Sequence, residues 1–124
     1  MDPTPIAGTT FVMAEWRDDG QSSRQRPIAP LHRHEHEDEA WYVLEGRLGF
    51  RSGSDVVEVD AGDAFLVPAG TPHTYWNAGD GVTRYLIVMG PHTARLVEAI
   101  HELEDRSLEA VRAVFAAHDS ELLA

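Results

Sequence analysis

The sequence predicts an all-β domain of about eight short strands, a sandwich, jelly roll or small barrel, followed by a short α-helical tail. Two observations predict the sheets. Short runs of β-branched and aromatic residues recur between Thr9 and Met89, and Gly, Pro, Asn, Asp or Ser punctuates them throughout. A third predicts the tail: beyond Gly90-Pro91 the apolar period changes to that of a helix. A length of 124 residues suits one domain over 1–124, with the barrel at about 9–89 and the tail at about 93–123.

Met1 to Gly8 reads as an extended lead-in with two prolines. Thr9 to Trp16 is the first strand, Arg17 to Arg26 a polar loop, and Pro27 and Pro30 bracket an extended segment leading to the histidines. His36 to Asp38 is a polar corner, Ala40 to Leu44 a strand, and Glu45-Gly46 a turn with Arg47 to Arg51 as the partner strand. Strands follow at Val56 to Val59, Asp63 to Val67, His73 to Asn77 and Val82 to Met89, separated by turns at Ser52 to Asp55, Asp60 to Gly62, Pro68 to Pro72 and Ala78 to Gly81. In the tail, Leu96, Val97, Ile100 and Leu103 share one side of a helix over Thr93 to Glu104. Ser107 is an N-cap for a second helix carrying Leu108, Val111, Val114 and Phe115. Each apolar side is expected to pack on the barrel or on a second subunit, and the tail is placed to cap an opening of the barrel.

Composition narrows the function. A net charge of −11, from 21 acidic and 10 basic residues, argues against nucleic acid and against anionic membrane surfaces as partners. The absence of cysteine excludes disulfides, thiolate ligands and a cysteine nucleophile. The opening MDPTPIAGTT has neither the basic nor the apolar region of a secretory signal, and no apolar run approaches the about 18 residues of a membrane span. A cytoplasmic protein is the expectation.

Two stretches carry the chemistry. LHRHEHEDEAWYVLEG, Leu31 to Gly46, places His32, His34 and His36 at alternate positions and ends its acidic run at Glu39. Alternate residues of a strand face one way, so these imidazoles converge and a carboxylate from the returning strand can join them. GDAFLVPAGTPHTYWN, Gly62 to Asn77, adds His73 just past a Pro/Gly turn. Nitrogen and oxygen donors gathered on one inward face make a transition-metal site. Two plainer accounts stand beside it: His-Glu-His-Glu as a solvated strand edge, and a pocket that binds an organic ligand without metal. Trp41 shares a face with Glu39 and Tyr75 with His73, which makes these two aromatics candidates for a substrate pocket, although aromatics in strands also serve as core. His36, between Glu35, Glu37 and Asp38, reads as part of a solvated turn, and His92, His101 and His118 carry no functional case.

Together these stretches resemble the two sequence motifs of the cupin superfamily. His32-x-His34, four residues, Glu39, six residues and Gly46 match the first. Gly62, five residues, Pro68-x-Gly70, two residues, His73, three residues and Asn77 match the second. Starting from His34-x-His36 instead puts Ala40 or Trp41 at the carboxylate position, so that register fails. One departure is Arg26, where the family motif opens with glycine. The resemblance implies a double-stranded β-helix (jelly-roll) barrel and a metal held by His32, His34, Glu39 and His73. Such a donor set suits Fe, Mn, Ni, Co, Cu or Zn as one divalent ion per chain, with positions left open for water, substrate or dioxygen. The chain is most similar to small single-domain cupins of the quercetin dioxygenase-like kind. That likeness implies a metal-dependent oxygenase acting on a small enolic or phenolic substrate, with Glu39 doubling as general base. The alternatives are an isomerase, cyclase or hydrolase using the same metal as Lewis acid, and a non-catalytic small-molecule-binding protein. The resemblance also implies a homodimer, for which an edge such as Thr9 to Trp16 is suited.

Overall fold

Residues 6–123 are described by a computed structural model of the chain. The prolines of the lead-in, Pro3 and Pro5, lie outside them. Two five-stranded antiparallel sheets face each other. The first contains β1 (Ile6–Ala7), β2 (Val12–Asp18), β9 (Thr83–Met89), β4 (Glu39–Glu45) and β7 (Ala64–Val67), in that order across the sheet. The second contains β10 (Ser120–Leu122), β3 (Ala29–His34), β8 (His73–Asn77), β5 (Arg47–Ser52) and β6 (Asp55–Asp60). Strands alternating between two facing sheets form the expected jelly roll, with α1 (Pro91–Glu102) and α2 (Leu108–Ala117) added after it.

The core lies between the sheets and follows strand alternation. Val12 and Ala14 on β2, Trp41 and Val43 on β4, and Tyr85, Ile87 and Met89 on β9 are buried against Leu48 and Phe50 on β5 and Tyr75 on β8. Aromatic rings bridge the layers, with Trp41 edge-on to Phe50 at 5.0 Å and Phe50 stacked on Phe65 at 4.6 Å.

The structure corrects the pairing around Gly46. Arg47 to Arg51 is not the hairpin partner of the preceding strand, because β4 pairs with β7 and β9 whereas β5 pairs with β6 and β8. Gly46 has a φ of 84° and sits so close to Thr83 that a Cβ would collide with it. A turn dipeptide there swings the chain from one sheet to the other, and Glu-Gly reads the same in either role. By contrast, the turn after β5 is a true hairpin, with Ser52 opposite Asp55 across Gly53 and Ser54.

The tail holds a second difference. Both helices form, and the Ser107 hydroxyl accepts from the Ala110 amide as an N-cap at 3.2 Å. α1 begins at Pro91, two residues before Thr93, because Glu37 reaches across from the β3–β4 corner. Its carboxylate accepts from the backbone N–H groups of His92 and Thr93 at 3.1 and 2.7 Å, and Gly90 leaves the room it needs. After α2 the chain adds β10, which the sequence reading lacks: Ser120, Glu121 and Leu122 pair with His34, Arg33 and His32. Among the described residues, no helix is long and apolar enough to cross a membrane.

Candidate metal centre

His32 and His34 project from β3 on one face, and the ladder sets His32 directly opposite His73 of β8. Glu39 comes from the facing sheet, at the start of β4. All four side chains are buried, and one potential ligand atom from each lies within 4.8 Å of the others. Glu39 Oε1 is 3.2 Å from Nε2 of both His34 and His73. The four residues are therefore close enough to hold one metal ion. His36, at the corner, is exposed and outside the cluster.

Each imidazole is held by its outer nitrogen. Nδ1 of His32 donates to the Pro30 carbonyl, and Nδ1 of His73 to the Thr71 carbonyl at 2.9 Å. For His34 the partner is Ser120 Oγ at 2.7 Å. The Ser120 hydroxyl donates its own proton to the His118 carbonyl at 3.1 Å, so it accepts from His34. With all three Nδ1–H groups committed, the three Nε2 lone pairs point inward together with a carboxylate.

Electrostatics then decide what fits. Burial pushes the His32 imidazole down to about 4, with His73 and His34 adding to the effect. Burial alone would push the Glu39 carboxyl up; positive charge against it, from a proton on the facing nitrogen of His34 or His73 at 3.2 Å, holds it down at about 2, and a metal ion there would do the same. An imidazole whose Nδ1–H already donates can turn a proton toward Glu39 only by becoming a cation, and otherwise presents a bare lone pair there. His34 Nε2 accordingly has no hydrogen-bond partner, although it is buried. A divalent cation at the meeting point satisfies all four acceptors at once. The donor set fits such an ion by its chemistry and by this orphaned nitrogen.

A cavity of about 240 Å³ opens onto the cluster. His32, His34 and Glu39 form its polar floor, and its walls are mostly apolar apart from Thr93 and His101, with Leu96 and Ile100 of α1 and Phe115 of α2 on the tail side. The tail thus covers an opening of the barrel. Of the two candidate pocket aromatics, Tyr75 lines the cavity. Trp41 stands behind it in the core, almost fully buried, with its ring edge-on to His73 at 5.9 Å. Trp16 and Phe115 are cavity aromatics without a signal in either motif. Asn77, the last residue of the second motif, is at the far end of β8 and braces a turn: its side chain bonds Gly79, Gly81, Thr83 and Asp18.

Comparison with known proteins agrees with this geometry. The chain is 38% identical over 50 residues to an uncharacterized protein of Methanocaldococcus jannaschii, a match covering 40% of each chain. The crystal structure of TT1209 from Thermus thermophilus is similar at 27% identity and a TM-score of 0.60, covering 73% of this chain and 83% of that one. A predicted oxalate decarboxylase from Thermotoga maritima is similar at 27% identity and a TM-score of 0.52, over 66% of this chain and 67% of that one. The cupin domain family profile matches residues 24–89, which take in both motifs and all four donors. The chain belongs to the cupin family.

Proposed function

We propose that the protein is a metal-dependent oxygenase acting on a small enolic or phenolic compound. The observation that carries this reading is the convergence of four buried acceptors, three imidazoles and one carboxylate, on the floor of an apolar cavity. His32, His34, His73 and Glu39 would hold a divalent ion beside the cavity, and the ion would supply Lewis acidity that lowers the pKa of a hydroxyl held against it. The chain's residues do the rest. His32, His34 and His73 hold their positions through Pro30, Ser120 and Thr71. Glu39, the carboxylate that faces the cavity, is the group placed to accept the hydroxyl proton. Leu96, Ile100 and Phe115 give the reacting edge an apolar wall on the tail side. Oxygen uptake coupled one-to-one to loss of an enolic or phenolic substrate tests the reaction. Turnover without oxygen uptake would assign the same centre to isomerisation, cyclisation or hydrolysis, and binding without turnover would make it a binding protein.

A homodimer and a cytoplasmic location belong to this reading. The outer face of the first sheet supports pairing with a second copy: Met13, Val88, Ala40 and Leu66 form one apolar row across β2, β9, β4 and β7. Exposed Tyr42, in the next row on β4, extends that apolar face. Among the described residues, the β2 edge beyond its short pairing with β1 is a further place for association. The lack of cysteine supports the location.

A further inference from the structure

We propose that the cavity takes a compact, single-ring compound that binds as a monoanion through an oxygen-bearing edge, and that it rejects phosphorylated and dicarboxylic compounds. The proposal rests on the metal-centre reading and adds substrate class to it. Charge is the first argument. The chain contains no lysine, and none of its arginines lines the cavity. Among the described residues, the only carboxylate there is Glu39. A divalent ion beside one carboxylate and three neutral imidazoles leaves a single positive charge, which one monoanion neutralises. A dianion would leave excess negative charge among Ile87, Met89, Leu96 and Phe115 with no guanidinium or ammonium to pair it, His101 being the one further ionisable base on the wall among the described residues. Size is the second argument. At about 240 Å³ the space falls below the about 300–1,000 Å³ that drug-sized ligands occupy. Shape is the third, since the rings of Trp16, Tyr75 and Phe115 offer flat faces to a planar body.

The test is calorimetric titration of the zinc-loaded protein with benzohydroxamate, acetohydroxamate and oxalate. All three grip a metal through two oxygens, but they differ in charge and apolar bulk. Benzohydroxamate should bind at least tenfold more tightly than oxalate and more tightly than acetohydroxamate. Oxalate binding as tightly as benzohydroxamate, equal affinity for the two hydroxamates, or no binding of any probe by zinc-loaded protein would overturn the proposal alone. A folded chain that takes up no zinc is titrated instead in its nickel- or manganese-loaded form, and one that takes up none of Fe, Mn, Ni, Co, Cu or Zn would defeat the metal-centre reading and this proposal with it.

We further infer that Ser120 is a positioning residue for His34. It is buried, β10 pairs it with His34, and the His118 carbonyl fixes its hydroxyl as an acceptor toward His34 Nδ1. The last strand of the chain thereby selects the tautomer that turns Nε2 inward. Ser120→Ala and the near-isosteric Ser120→Cys should each weaken zinc binding about 10–100-fold in competition with a chelator. Ser120→Thr, which keeps the hydroxyl, should restore it. Unchanged affinity in a folded Ala or Cys variant would overturn the inference, as would an equal loss in Thr.

Discussion

Strand β8 starts in one buried polar cluster and ends in another, and the two are built on opposite principles. At its end, the Asn77 amide donates to the Gly81 carbonyl at 2.7 Å and to Asp18 at 3.1 Å, while its oxygen accepts from Thr83 and Gly79, both at 2.8 Å. Every donor there has an acceptor within the chain. At its start, His73 meets His32, His34 and Glu39, whose inward atoms are all acceptors once the Nδ1 protons are assigned. The first cluster is complete and holds a turn; the second is completed only by a positive charge from outside. Burial and polarity are the same in both, so what separates a brace from a binding site is the balance of donors and acceptors.

The largest effect should come from breaking the incomplete cluster. Glu39→Ala together with His73→Ala should abolish stoichiometric metal binding, read by elemental analysis, while circular dichroism still reports a folded β protein. Breaking the complete cluster should do the reverse. Asn77→Ala strands Gly81, Thr83, Gly79 and Asp18 and should cost about 2–4 kcal/mol in urea unfolding, with metal per folded chain unchanged.

Glu39→Gln sharpens the contrast further. It places amide donors before the unpartnered His34 Nε2, so the metal-free protein should gain about 1 kcal/mol of stability. The same variant should lose metal affinity by more than the about 10–100-fold of a lost outer partner, measured by chelator competition. Glu37→Gln, at the N-terminus of α1, touches neither cluster. It should cost about 0.5–1 kcal/mol in thermal or urea unfolding and leave metal affinity unchanged.

Fold class was legible because alternation and turn residues act locally, and the four donors because two fixed spacings bring them onto β3, β4 and β8. What stayed hidden depends on long-range placement. Ser120 sits on a three-residue strand, too short for any period to show, and meets His34 only through the ladder with β3. Alternation turned both Trp41 and Tyr75 inward, but parity says nothing of depth: Tyr75 reaches the cavity while Trp41 lies behind His73. The cavity walls come from β2, β9, α1 and α2, so Trp16, Leu96 and Phe115 share no sequence pattern that would mark them as neighbours. At Gly46 a dipeptide that reads as a hairpin turn is a corner between sheets, a choice made by which strands find partners.

Metal titration of the chelator-treated protein, followed by calorimetry and by melting temperature, tests the central claim most directly. Saturation is expected at about one first-row divalent ion per chain with a clear rise in melting temperature, because the ion completes an acceptor set that the folded chain alone leaves open. A folded protein that binds none of Fe, Mn, Ni, Co, Cu or Zn, its melting temperature unmoved by any of them, would contradict it.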